Sequence, residues 1–480
     1  RARTRLNFDE RFLLQINILR ISRNRRRRLA GFLFPRIGNY FNRFYNELLP
    51  FPLTGAQKRV IKEIRADMGT GRQMNRLLQG DVGSGKTMVA LLCMLIALDN
   101  GVQTCLIAPT EILATQHFET LNAMVAPLGV NVKLLTGSTP MKPRREIDRG
   151  LRDGSIHILV GTHAVLEPKV VFKNLGFAII DEQHRFGVAQ RSKMWLKNTT
   201  PPHVLVMTAT PIPRTLAMTV YGDLEVSVID ELPPGREPVV TLMRTDAERL
   251  SVYQGITRQL MQGRQAYIVY PLVKENEKVD LRSLEEGYRQ VCETFPHYRV
   301  AYVHGQMRPS EKDEQMQRFA SHQADILVAT TVIEVGVNVP NATTMVIENA
   351  ERFGLSQLHQ LRGRVGRGGG RSFCILMTRD KLSRDTRRRL EIMTSTNDGF
   401  VVAEADMQLR GPGDIEGTVQ SGLAIDLRIA DLATDGRLVA VARNAADDYL
   451  ATDPDLTSPE SIALLEELRR TSRTDWSLIS

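Results

Sequence analysis

The stretch Gly80-Asp81-Val82-Gly83-Ser84-Gly85-Lys86-Thr87 constrains this chain more than any other. It fits the pattern G-x-x-x-x-G-K-[ST] and stands between an apolar strand candidate, Arg76–Gln79, and an apolar helix candidate, Thr87–Leu98. Glycines in such a loop let successive backbone N–H groups turn inward on phosphate oxygens, and the helix that follows points its positive end at them. Gly80, Gly83, Ser84 and Gly85 are therefore expected to shape a cradle for ATP. Lys86 is expected to reach the β- and γ-phosphates, and Thr87 to ligate Mg²⁺.

The context of that loop sets the fold class. From residue 51 to 238, short apolar strands alternate with amphipathic helices: Arg76–Gln79, Gln103–Ala108, Val132–Leu135, His157–Val160, Phe177–Ile180 and Val204–Met207. From 239 to 395 the alternation restarts, with Val239–Met243, Ala266–Tyr270, Val300–Val303, Ile326–Val328, Thr344–Ile347 and Phe373–Met377. Strands separated by helices imply parallel pairing with helices on both faces. The expectation is α/β, two tandem parallel-sheet domains. Leu232-Pro233-Pro234-Gly235 reads as the linker between them. Residues 396–480 are expected to begin with a Gly-rich loop, Leu409–Asp414, and to end in helical, mixed-charge sequence.

Charge is unevenly spread. Residues 1–50 carry 12 arginines and three acids, whereas the other 430 residues carry equal numbers of bases and acids. The run Arg25–Arg28, with Arg20 and Arg23, can bind phosphate backbones by counterion release, or can form a solvated helix face. Apolar Phe8, Phe12, Leu13, Ile16 and Leu19 recur at helical spacing through the same segment, which is expected to be a basic helical linker. The four cysteines are scattered, which argues against a zinc site or a disulfide framework and fits a reducing cytosol. No apolar run approaches the ~20 residues of a membrane span. The chain starts at Arg1 rather than Met, so it is expected to be a fragment.

Three further sites follow from residue chemistry. Asp181 and Glu182 end the strand Phe177–Ile180, at the edge where ligands of parallel sheets bind. Asp181 is expected to hold magnesium and Glu182 to orient and deprotonate the attacking water, with His184 sensing the γ-phosphate. The amide of Gln57 offers the donor and acceptor that suit an adenine edge. In Gln357–Gly368, Arg364 and Arg367 are three apart, expected on one helix face, and are candidate arginine fingers. Alone, each of these has a plainer reading as a surface turn, a structural side chain or a solvated basic helix end.

Taken together, these segments resemble a superfamily 2 helicase with two RecA-like domains and ATP between them. The resemblance is closer to the RecG family of bacterial ATP-dependent DNA helicases. It rests on Gly80–Thr87, on Pro109–His117 (PTEILATQH), on Asp181–Gln190 (DEQHRFGVAQ) and on Tyr221–Gly235 (YGDLEVSVIDELPPG). By that resemblance Thr110, Thr162 and Thr330 lie in loops that contact the nucleic-acid backbone, and Gly336 lies in the second domain's motif near the nucleotide. Thr208 and Thr210 link hydrolysis to movement on DNA. Arg410 and Gln420 belong to a helical hairpin and loop that turn cleft closure into a stroke on the duplex. The resemblance further implies branched DNA (forks, junctions) as substrate, a monomer, a single-strand binding protein as partner and a place in the bacterial cytosol at the nucleoid. The implied domains are a linker at 1–50 from an absent wedge domain, helicase domains at 51–238 and 239–395, and the translocation region at 396–480. Asn338 and Val419 depart from the residues usual in relatives, Asp and Arg.

A transcription-repair coupling factor shares the motor, but Ser84 and Gln183 tilt the resemblance to RecG. A nucleic-acid-binding scaffold with a decayed motor is the rival of another class. The retention of Lys86 and Glu182 argues against it.

Overall fold

The computed structural model describes residues 2–28, 30–181, 194, 197–213, 224–233, 235, 237–271, 277–330, 339–410 and 436–471. The chain divides into two compact units, one of residues 1–80, 85–231 and 410–480, the other of residues 81–84 and 232–409.

The first unit holds a seven-stranded sheet of β1 (Asn75–Gly80), β2 (Gln103–Ile107), β3 (Val132–Leu135), β4 (Ile158–Gly161), β5 (Leu175–Asp181), β6 (His203–Thr208) and β7 (Glu225–Ile229). Their order is β3-β4-β2-β5-β6-β1-β7, and every pairing is parallel. A sheet covered on both faces selects strands without polar alternation, and all seven residues of β5 are buried. The helix Lys86–Asp99 is equally enclosed, burying Met88 to Leu98 without a break. Its uniformly apolar sequence is thus that of a core helix.

The second unit holds six parallel strands, β8 (Val240–Thr245), β9 (Gln265–Tyr270), β10 (Val300–Val303), β11 (Ile326–Thr330), β12 (Ala342–Ile347) and β13 (Phe373–Thr378). Their order is β10-β11-β9-β12-β13-β8. This repeats the first sheet strand for strand, β8–β13 taking the places of β1–β6. A polar detail repeats too. Gln103 opens β2 and its buried Nε2 donates to Leu151 O and Ile156 O at 3.0 and 2.8 Å. Gln265 opens β9 and donates to Phe319 O and Ala324 O at 2.7 and 2.8 Å. Each amide bridges a carbonyl in the last turn of a helix and one in the segment after it.

All twelve strands expected from sequence are present, with ends shifted by up to two residues. β7 was not expected. It is an edge strand in which Ser227 and Ile229 are buried while Glu225, Val226 and Val228 are not. Ser227 is buried because it is paired: its Oγ accepts from Arg76 Nη1 at 2.7 Å and donates to Glu63 Oε2. Arg76 also reaches Asp67 Oδ2 through Nε and Nη2, at 2.9 and 2.7 Å.

The N-terminal helix, Ala2–Arg28, packs on the helices Gly436–Thr452 and Pro459–Thr471 of the same unit. Ile16 and Leu19 share a buried cluster with Ala446, Leu450, Leu456 and Leu468, and Phe12 and Leu13 lie against it. The chain then joins the first sheet. His203 accepts from Met74 N–H through Nδ1 at 2.9 Å, so its Nε2–H donates to Phe32 O at 3.0 Å. Asp99, ending the helix Lys86–Asp99, accepts from the backbone of Gly38, Tyr40 and Phe41 at 2.9 to 3.1 Å. Cys93, Cys105 and Cys374 are buried free thiols.

Candidate nucleotide and nucleic-acid site

In a parallel sheet the carboxyl ends of all strands meet one edge, and the loops that leave them share it. Gly80 ends β1, Asp181 ends β5 and Thr208 ends β6, while Thr110 and Thr162 follow β2 and β4. The fold therefore gathers five of the expected site residues of the first unit on one rim. The register tightens this: Gln79 pairs with Thr208, and Met207 pairs with Asp181.

Within the Gly80 loop, Gly83 and Gly85 take φ of 77° and 86°, the left-handed values that turn N–H groups inward. Lys86 opens the helix and its mostly buried Nζ donates to Gly80 O at 2.8 Å, folding back over the loop. At Gly85 a second constraint acts, because a Cβ there would collide with Nε2 of Gln57. Gln57 is fully buried. Its Oε1 accepts from Thr54 N–H at 2.9 Å while its own N–H donates to Thr54 Oγ1 at 3.2 Å, a reciprocal cap on the helix Gly55–Met68. The cap holds the Gln57 amide against the phosphate loop.

Asp181 presents its carboxylate to His117, whose Nε2 lies 2.8 Å from Oδ2. His117 comes from the helix Glu111–Val125, which Thr110 caps by accepting from Leu113 N–H at 3.4 Å. Glu111 at the start of that helix accepts from Ser138 N–H and Ser138 Oγ at 3.1 and 2.5 Å. Thr208 Oγ1 accepts from Thr210 N–H at 3.2 Å, and Gln79 Nε2 donates to Ile212 O at 2.6 Å. The strand feeding the phosphate loop is thereby tied to the segment Thr208–Pro213. Thr162 is buried, and among the described residues its Oγ1 has no hydrogen-bond partner.

The donor set fits magnesium. A hard cation that keeps several waters needs one or two carboxylates and substrate phosphates rather than a protein cage. One carboxylate, Asp181, and one hydroxyl in the first helical turn, Thr87, meet that need beside a loop built for phosphate. Among the described residues no cluster of three or more His, Cys, Asp or Glu could hold a metal unaided.

In the second unit Thr330 ends β11 and is buried. The expectation that Arg364 and Arg367 share a helix face is corrected. The helix runs Leu355–Arg362 and stops at Gly363, so both arginines lie in the turn beyond it. Gly366, at φ 75°, keeps that turn from continuing as helix. Arg367 Nε donates to Gly363 O at 3.1 Å. Arg362 is the structural arginine of the group. Its buried Nη1 donates to Met393 O and Thr396 O at 2.9 and 2.6 Å, and its Nη2 meets His359 Nδ1 at 2.9 Å.

The expected start of the Gly-rich loop is corrected as well, because Leu409 and Arg410 complete a helix, Gly399–Arg410. Glu182, His184, Gly336 and Gln420, with Gln183, Asn338 and Val419, lie outside the described residues, as does the side chain of Arg410. Sequence reasoning did not single out His117 or Gln79. A usable signal existed for His117, which closes the conspicuous stretch PTEILATQH.

Two sheets of one strand order, the first with the Gly80–Thr87 loop of P-loop pattern at its carboxyl edge, define a paired RecA-like protein, the class that includes helicase motors. Comparison with known proteins narrows this. Residues 54–219 match the DEAD/DEAH box helicase family, residues 250–369 the helicase conserved C-terminal domain, and residues 396–480 the C-terminal part of domain 3 of the ATP-dependent DNA helicase RecG. The chain is 50% identical to the ATP-dependent DNA helicase RecG of Synechocystis over 95% of its length and 54% of the relative's. It is 46% identical to that of Bacillus subtilis over 100% of its length and 70% of the relative's. A solved structure of RecG bound to a three-way DNA junction superposes with TM-score 0.76 at 42% identity, covering 91% of this chain and 57% of that one. The DUF1998 helicase MrfA bound to DNA shares the fold, at TM-score 0.56 and 17% identity over 79% of this chain and 58% of that one. The chain belongs to the RecG family of ATP-dependent DNA helicases. It spans just over half the length of relatives such as those of Synechocystis and Aquifex aeolicus, 54% and 58%. Among the described residues no helix is long and apolar enough to cross a membrane.

Proposed function

We propose that this chain is the ATP-driven motor of a RecG-type DNA helicase, coupling hydrolysis to movement on duplex DNA and to remodelling of forks and junctions. The observation that carries the reading is the shared rim of Gly80, Lys86, Asp181 and Thr208, in a chain of the RecG family. Branched DNA as substrate is supported by the relative solved on a three-way junction.

In this reading Lys86 leaves Gly80 O to meet the β- and γ-phosphates, and Thr87 and Asp181 hold magnesium. Magnesium, when bound, neutralises the charge that develops on the transferred phosphoryl group. Glu182 orients water and takes its proton, and Gln57 reads the base. Gly80, Gly83, Ser84 and Gly85 direct backbone N–H groups to phosphate, with Gly336 acting near the nucleotide. Arg364 and Arg367 are the arginine fingers of the same reaction. Thr110, Thr162 and Thr330 grip the DNA backbone, His184, Thr208 and Thr210 relay the nucleotide state, and Arg410 and Gln420 act on the duplex. Residues 1–50 link to a wedge domain, 51–238 and 239–395 form the two helicase domains, and 396–480 form the translocation region. The chain works as a monomer in the bacterial cytosol, at the nucleoid, with a single-strand binding protein as partner.

The test is ATP hydrolysis measured with forked, junction, duplex and single-stranded DNA and with RNA. Stimulation greatest on branched or duplex DNA is expected. Equal rates with and without DNA, or preference for RNA, would overturn the reading.

A further inference from the structure

We propose that His117 is a positioning residue that sets the Asp181 carboxylate for magnesium and ties that setting to the loops at the start of its own helix. The proposal rests on the reading of the Gly80–Thr87 loop as an ATP site.

The geometry is direct. His117 Nε2 lies 2.8 Å from Asp181 Oδ2, and both side chains are only 12% exposed. A carboxylate at a strand end can rotate about two side-chain bonds, and a donor from a separate element fixes that rotation. Away from water such a bond is stronger and more directional. Partners of metal-binding groups act in this way, orienting a ligand they help to hold; their loss typically weakens metal binding by about 10- to 100-fold.

What distinguishes His117 from a packing residue is the element that carries it. It stands six residues beyond Glu111, roughly 9 Å along the axis at ~1.5 Å per residue. Over that span the helix is one rigid piece. Its first turn is fixed by Thr110 and, through Glu111, by Ser138. Thr110 and Ser138 follow β2 and β3, so both lie on the carboxyl rim where the proposed track contacts sit. A displacement of the helix start on binding a phosphate backbone is therefore delivered to Asp181 through one hydrogen bond. The link is reciprocal, since filling the magnesium position acts back through the same contact.

The test is binding rather than turnover, on the full chain as His117→Ala and His117→Gln. A fluorescent ATP analogue is titrated in magnesium and in excess EDTA, with and without duplex DNA. The expected result for His117→Ala is metal-free affinity within about twofold of the parent and a magnesium enhancement reduced roughly tenfold. Duplex DNA should then no longer alter the magnesium dependence. His117→Gln, whose amide can still donate, should recover part of both effects. Two results overturn the proposal: an unchanged magnesium enhancement in His117→Ala, or an equal loss of affinity in EDTA, which marks a merely structural residue. If the parent chain binds no nucleotide even with magnesium, the ATP reading itself falls, a failure distinct from either of these.

Discussion

Arg249 grips Glu348 through two parallel hydrogen bonds, Nη1 to Oε1 at 2.7 Å and Nη2 to Oε2 at 2.8 Å. Arg249 is the first residue of the helix that follows β8, and Glu348 directly follows β12. In the repeated strand order these are the places that Lys86 and Asp181 hold in the first sheet. Where the first unit places the lysine and carboxylate that we propose serve a phosphate and a metal, the second joins cation to carboxylate. Asp246 adds a further contact to Arg249 Nη2 at 2.6 Å. At the corresponding positions of the second sheet the two charges form a structural clasp.

That clasp predicts a stability effect without a binding effect. Glu348 is only 4% exposed, so Arg249→Ala leaves a carboxylate buried without its bidentate partner. The expected cost is about 3 kcal/mol in the second unit's unfolding, since breaking a buried pair exposes the desolvation it had offset. Replacing both residues by apolar ones of similar size should cost less than either single change. Denaturant titration followed by hydrogen exchange in β8–β13 measures this, with nucleotide affinity at the Gly80 loop expected to stay unchanged.

Lys86→Ala should lower ATP hydrolysis by at least ~100-fold, the scale of losing one charge-stabilising donor. Its Nζ donates to a backbone acceptor, Gly80 O, within the loop itself. Thermal unfolding should therefore move little. An ATPase assay beside a melting curve checks both halves, and a variant with normal turnover would dismiss the site.

Much of this was legible in the sequence because the signals were local. Parallel strands buried on both faces are short apolar runs, so β2, β5 and β12 stand out directly. The Gly80–Thr87 loop carries its geometry in its glycines. What escaped depends on partners far away in the chain. β7 hides because Ser227 is buried only by virtue of Arg76 and Glu63, 151 and 164 residues away. His117 meets Asp181 across 64 residues, and Arg249 meets Glu348 across 99. The spacing of Arg364 and Arg367 suggested a helix, but Gly363 and Gly366 end it, a case where glycine chemistry overrides side-chain periodicity.

The three arginines of that segment should separate cleanly by assay. Arg362→Ala removes donors to Met393 O and Thr396 O and should destabilise the helix Leu355–Arg362, at about 2–3 kcal/mol for hydrogen bonds from a charged group. Arg364→Ala and Arg367→Ala, at less buried side chains, should cost less stability than Arg362→Ala and lower kcat by roughly 10³-fold or more, as arginine fingers do, with nucleotide affinity little changed. Steady-state kinetics beside denaturant melts distinguishes the two behaviours. A pattern in which all three changes only destabilise would reduce the pair to scaffold.

His203 predicts how the first unit responds to acid. Burial holds its pKa down at about 4, against an ordinary value near 6.5, and its bond to Phe32 O only partly offsets this. The folded state therefore keeps the imidazole neutral, with Nδ1 accepting from Met74 and Nε2–H donating to Phe32. Between pH 6.5 and 4 the unfolded chain takes up the proton and the folded one does not. Stability from this group is thus complete above about pH 6.5 and falls as the pH drops towards 4. The loss at pH 5 should be about 2 kcal/mol relative to pH 7.5. His203→Asn keeps an acceptor for Met74 but has no proton to gain. It should start less stable at pH 7.5, because Phe32 O loses its donor, yet lose about 2 kcal/mol less than the parent on going to pH 5. Urea melts at the two pH values give the difference directly. Equal pH sensitivity in parent and variant would mean that the folded imidazole takes up its proton as readily as the unfolded one, and would overturn this account.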